Sequence, residues 1–284
     1  VDSANEILLY ALKRSTENPE ILPDQIYDEY ISTRYGEKAL EPIKKAFEKA
    51  YDIVLSSMYI LGTNAAKHSS MDYDPYSSSY DRHVSGRWLE PPVVFVEHGI
   101  NKEFHYWKDI VNHIAPARFK TKDSRLGLEA RYVIDRNWVT PIELMDSLYL
   151  SYIITEKRYG VSLANEALAD IERAKELLDP SDYKDLYRLF RRTALTAQLY
   201  EAVSTAYFGF RIYAKGESYR YENLEEQIRS ALNRIDIVTD EMKSMEGEYP
   251  LGQWDWLKDA ETALSYKKKI LTGWKEYNNV KFEQ

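Results

Sequence analysis

Apolar residues recur at three- and four-residue spacing along most of this chain, and that period predicts amphipathic helices. Leu40, Ile43, Phe47, Ala50, Val54, Met58 and Leu61 mark a first long helix from about Leu40 to Leu61, with Pro42 in its opening turn. Before it, Ile26, Tyr27, Tyr30 and Ile31 share a face between Pro23 and the stop signal Gly36, so residues 1–36 read as helix, turn, helix. Thr140-Pro141-Ile142-Glu143 has the form of a capping box with proline at the first helical position, and the face of the helix it opens is Ile142, Met145, Tyr149 and Tyr152. Gly160 and Ser162 are expected to separate that helix from the next, in which Leu163, Ala167, Ile171, Ala174 and Leu178 keep the period until Asp179-Pro180 ends it.

The remainder of the chain continues the pattern. Between Tyr183 and Lys215 there is no proline and one glycine, Gly209, and a helix of that length would span about 50 Å. Asn223 is the expected cap of another, with the stripe Leu224, Ile228, Ala231, Ile235, Val238, Met242 and Met245. Leu257, Ala260, Leu264, Leu271 and Trp274 mark a last one. The fold class implied is all-α, an antiparallel helical bundle with one long irregular insertion rich in aromatic residues and histidine. No repeat of fixed length points to a solenoid.

That insertion is where the helical period fails. Pro75, Pro91, Pro92 and Pro116, with Gly86, Gly99 and Gly127, interrupt every candidate helix between 64 and 138 except one around Lys102 to Ile114. Val93-Val94-Phe95-Val96 is at most one strand. The expected organisation is an opening helical segment at 1–63, an irregular ligand-facing region at 64–138 and a helical bundle at 139–284, together forming one compact domain. Long irregular stretches inside compact domains carry function or are disordered, and the tryptophans and tyrosines here argue against disorder.

Composition narrows the partners. A net charge of −8 opposes condensation on nucleic acid, whose binding draws on counterion release. No apolar run approaches the roughly 20 residues that span a bilayer, and residues 1–20 lack the basic start and apolar centre of a signal peptide. With no cysteine, disulfides, thiolate zinc sites and a cysteine nucleophile are excluded. The chain opens on Val1, which fits a processed protein or a piece of a longer one, and a periplasmic or secreted compartment is favoured over the cytoplasm. Twenty-four tyrosines against eight phenylalanines suit half-buried positions and polar ligands.

All five histidines, His68, His83, His98, His105 and His113, fall inside the irregular region. None makes an HExxH pair, so they read as hydrogen-bonding groups; no metal and no cofactor are expected. Nothing resembles a nucleophile elbow or a phosphate loop. Paired carboxylates, as sugar hydrolysis requires, could come from Asp72, Asp74, Asp81, Glu90, Glu97, Glu103 and Asp109, but their spacing selects no pair. What the region offers is recognition: rings for the apolar faces of sugars, guanidinium forks for carboxylates, imidazoles and phenols for hydroxyls. The candidate substrate-binding residues are Tyr80, Arg82, His83, Arg87, Trp88, His105 and Trp107, with a local aromatic core as the competing role for Trp88 and Trp107.

Ala4-Asn5 before a helix, then Asn18-Pro19-Glu20, Asp24-Gln25-Ile26-Tyr27-Asp28-Glu29-Tyr30 and Tyr35-Gly36 form an ordered series. Leu61-Gly62, His68, Ser79-Tyr80-Asp81-Arg82-His83 and Gly86-Arg87-Trp88 follow. This order resembles the C-terminal helical domain of the α-glucuronidases of glycoside hydrolase family sixty-seven, over residues 1–115. The family's Tyr-His-Arg-Ala-Asp order is replaced here by Tyr80-Asp81-Arg82-His83. The resemblance implies the helical part of a carbohydrate-active enzyme whose catalytic carboxylates lie in an upstream barrel. Its partners would be that barrel, a carbohydrate such as a uronic-acid-containing oligosaccharide, and a second copy in a homodimer. A stand-alone helical sugar-binding or oligomerisation module without catalysis, and a complete glycosidase with its carboxylates in 64–138, are the alternatives.

Overall fold

The computed structural model of the protein describes residues 6–60, 63–64, 66–67, 70–71, 147–214, 221–248 and 257–282. These are overwhelmingly helical, and all-α is the fold class they show. The chain divides into two compact units, Val1–Tyr51 with Ser162–Ala194, and Asp52–Val161 with Leu195–Gln284.

In the first unit, α1 (Glu6–Glu17) and α2 (Pro23–Tyr35) are joined by a turn at Asn18, whose Oδ1 accepts the Glu20 N–H at 3.2 Å. Pro23 opens α2 and the Gln25 side chain accepts the Leu22 N–H at 3.1 Å, satisfying a donor that the helix itself leaves orphaned. Gly36 ends α2 at φ +88°, a conformation that glycine adopts without steric penalty. Ile26, Tyr30 and Ile31 are buried, and Tyr27 stacks on Phe47, so the expected face forms. A short 3-10 turn, Glu37–Ala39, leads into α3 (Leu40–Glu48), which buries Ile43 and Ala46. Each such aliphatic side chain contributes roughly 1.5–3 kcal/mol by leaving water.

The single helix expected from 40 to 61 is two. It is interrupted at Lys49, whose Nζ reaches the Lys45 carbonyl at 3.0 Å and the Asp170 carboxylate at 2.7 Å, and resumes as α4 (Ala50–Met58). The interruption shifts the stripe: Ile53 and Leu55 are buried while Val54 is 44% exposed. Helix stops at Met58, because Tyr59–Ile60 (β1) pairs antiparallel with Thr63–Asn64 (β2); Ala66–Lys67 (β3) likewise pairs with Ser70–Met71 (β4).

A second correction concerns Gly160. The chain does not break there: α5 runs unbroken from Ser147 to Arg173. A Cβ at Gly160 would stand 2.9 Å from Ser57 Oγ and 3.1 Å from Ser56 Cβ, so the glycine provides the close approach of α4 rather than a stop. Leu163, Ala167, Ile171 and Ala174 are buried as the period requires, and a 3-10 turn, Lys175–Leu177, precedes α6 (Pro180–Ala214). The expected helix start at Thr140 to Glu143 lies outside the described residues.

In the second unit, α7 (Leu224–Glu248) buries every residue of its expected stripe. It runs antiparallel to α6, since Glu201 meets Arg234 while Gly209 meets Ile228. It is likewise antiparallel to α8 (Leu257–Phe282), since Arg229 lies over Trp274 while Asp236 pairs with Lys267. The stripe of α8 differs from expectation: Ala260, Ala263, Tyr266, Ile270 and Trp274 are buried, whereas Leu271 is 43% exposed. Tyr266 packs edge-on against Tyr207, which turns that face of α8 to α6 and leaves Leu271 on the far side.

Candidate functional site

The described residues place several ionic groups inside the helices, and their partners decide what each can do. Lys157 of α5 is fully buried on a stripe of Leu150, Ile153, Gly160 and Ala164. Its Nζ donates to the Ser56 carbonyl at 2.7 Å and the Ser57 carbonyl at 3.0 Å, with the Glu156 carboxylate at 4.0 Å. Those carbonyls belong to the last turn of α4, which its own helix cannot satisfy, so the ammonium is a cap on a negative dipole end. Burial pushes the lysine down to about 8, and Glu156 opposes the shift. The close approach at Gly160 brings α4 within reach of this cap.

Glu201 of α6 is 2% exposed and is held from two sides. Arg234 of α7 binds it with Nη1 at 2.7 Å and Nη2 at 3.0 Å, and Thr205 Oγ1 adds a contact at 3.5 Å. Arg158 of α5 stands off at 3.7 Å, too far for a hydrogen bond, with its side chain 61% exposed. Two guanidiniums thus face one carboxylate. Farther along, Ser151 of α5 and Tyr221, Glu222, Asn223 and Gln227 beside the start of α7 line a cavity of about 430 Å³. Gln227 Nε2 donates to the Glu222 carbonyl at 3.1 Å. Ser151 to Arg158 and Gln227 to Arg234 are the same step on two helices running the same way, about 10 Å. The cavity and the arginine pair therefore lie about 10 Å apart along α5 and α7.

No family model, curated protein or solved structure matches this chain.

In the first unit, Asp170 is buried between Lys49 and Arg173. Arg14 forks onto Glu29 through Nε at 2.7 Å and Nη2 at 3.1 Å, which raises the guanidinium and lowers the carboxyl of Glu29 from its ordinary value. The cleft of about 640 Å³ there, lined among others by Tyr10, Lys13 and Glu17, is a surface whose main charges neutralise each other. Among the described residues no group of three or more histidines or carboxylates is placed to hold a metal.

The seven residues expected to bind substrate, Tyr80, Arg82, His83, Arg87, Trp88, His105 and Trp107, lie outside the described residues, as do all five histidines. The structure adds Arg158, Glu201 and Arg234, which periodicity alone did not single out. A signal existed: Phe190, Ala194, Ala197, Phe208 and Ile212 form a buried stripe of α6, and Glu201 falls on it. A carboxylate on an apolar stripe requires partners, and Arg158 and Arg234 supply them. No helix among the described residues is long and apolar enough to cross a membrane.

Proposed function

We propose that this chain is the helical, non-catalytic part of a carbohydrate-active enzyme of glycoside hydrolase type, similar to the α-glucuronidases. In this reading the helices form an antiparallel bundle that carries residues 64–138 as its ligand-facing segment, and a barrel outside this chain supplies the catalytic carboxylates. The observation that carries it is the concentration of Tyr80, Arg82, His83, Arg87, Trp88, His105 and Trp107 in one stretch flanked by helical sequence, within the motif order that resembles that family. The fate of the buried acids is consistent with it. Asp170 is paired with Lys49 and Arg173, and Glu201 is bound by Arg234, so both carboxylates are engaged in packing contacts between helical residues.

The test is turnover. Incubated with aryl glycosides and with xylan-derived uronosyl oligosaccharides, the chain is expected to bind the latter and release no product. Robust hydrolysis abolished by Glu97→Gln or Asp109→Asn would overturn the reading in favour of a complete glycosidase.

A further inference from the structure

We propose that α1 is a strap held on α2 by an ionic latch, and that it opens as one element when the latch is screened while α2 and α3 stay folded. The inference does not rest on the role given to residues 64–138, and its failure would leave that role untouched.

α1 is seated the reverse of an ordinary amphipathic helix. Leu8, Leu9 and Leu12 share one face and are between 58% and 67% exposed. The opposite stripe, Glu6, Tyr10 and Arg14 at four-residue spacing, is the one turned to α2. No residue of α1 is buried. A helix of 12 residues is marginal in water on its own, and helices in proteins draw most of their stability from packing an apolar face. α1 forgoes that source, so its position depends on the polar stripe.

Glu29 is the catch. Its carboxylate accepts Arg14 Nε at 2.7 Å, Arg14 Nη2 at 3.1 Å and the Tyr10 hydroxyl at 3.4 Å. Beside it the Tyr10 ring lies 5.4 Å from that of Tyr30, and Glu6 stands 3.8 Å from Arg34 Nε, beyond hydrogen-bond length. The Arg14 and Glu29 side chains are 27% and 40% exposed, so salt reaches the pair and screens it. α2 differs in kind, because it buries Ile26, Tyr30 and Ile31, contacts that charge screening does not touch. Release of α1 would bare the ring of Tyr30, which is buried with the strap in place, and would free a helix whose three leucines already face outward.

Hydrogen–deuterium exchange of the full chain, followed peptide by peptide at about 10 mM and about 1 M sodium chloride, tests this, because the screening length falls from about 30 Å to about 3 Å between the two. The amides of α1 are expected to exchange together and at least about fivefold faster at the higher salt, with those of α2 and α3 little changed. At the lower salt Arg14→Gln and Glu29→Gln should each reproduce the effect of salt. The swapped pair Arg14→Glu with Glu29→Arg should restore protection, and Lys13→Gln, whose ion pair with Glu17 lies within α1, should change little. Amides of α1 that open only together with those of α2, exchange indifferent to salt or to Arg14→Gln, or a swapped pair no better protected than the single variants would each overturn the proposal.

Discussion

Replacing Lys157 by methionine keeps the length and most of the packing of the side chain and removes the ammonium from the end of α4. The Ser56 and Ser57 carbonyls, at 2.7 and 3.0 Å, lose their donor, and Glu156 loses the cation at 4.0 Å. Orphaning two buried acceptors costs together up to about 6 kcal/mol. Burial, however, pushes Lys157 from its ordinary 10.5 to about 8 even with the Glu156 attraction included, so removing the charge, and the ion pair with it, returns about 3 kcal/mol. The net loss at pH 7 is up to about 3 kcal/mol. The sign of the pH dependence follows from the depressed value. Below about pH 8 both folded and unfolded chains carry the proton; between 8 and 10.5 the unfolded chain binds more, so wild-type stability rises across that window. The deficit of the variant should therefore widen on going alkaline. Urea unfolding of both proteins, followed by far-UV circular dichroism at pH 7 and about 9.5, reads the difference directly. A variant as stable as wild type at pH 7 would refute the cap, and a deficit that does not change with pH would refute the depressed lysine.

Two further substitutions probe the packing. Gly160→Ala gains about 1 kcal/mol of helix propensity but places a methyl against Ser56 and Ser57, whose backbone Lys157 holds in place, so a net loss of about 1 kcal/mol is expected in urea unfolding; a gain would mean that α4 does not approach so closely. Asp170→Asn leaves Lys49 and Arg173 without their shared acid and should cost about 2–4 kcal/mol, whereas a change within about 0.5 kcal/mol would make the pair ornamental.

Helix identity was legible because an apolar stripe needs no partner to be recognised. The stripe of α7 is buried residue for residue, and Pro23 and Gly36 bound α2 as turn chemistry requires. What local pattern could not supply was the neighbour. Gly160 reads as a breaker until α4 is placed 2.9 Å from where a Cβ would stand, and Lys49 reads as a surface lysine until Asp170 arrives from 121 residues away. Leu271 and Val54 fit an ideal period yet point outward, because ring packing on Tyr207 fixes one face and the interruption at Lys49 resets the other. The Arg158, Glu201 and Arg234 cluster was hidden for the same reason: each belongs to a different helix. For residues 64–138 the sequence reading stands on composition and spacing alone.

The central claim, that those residues carry carbohydrate recognition, is tested most directly at Trp88. Titration of the wild-type chain and of Trp88→Ala with a xylan-derived uronosyl oligosaccharide, with the thermal midpoint followed in parallel, separates a binding ring from a packing ring. The account predicts that binding is lost while the midpoint changes little. Unchanged binding, together with a fall in stability of the roughly 3–5 kcal/mol that removal of a buried aromatic costs, would contradict it.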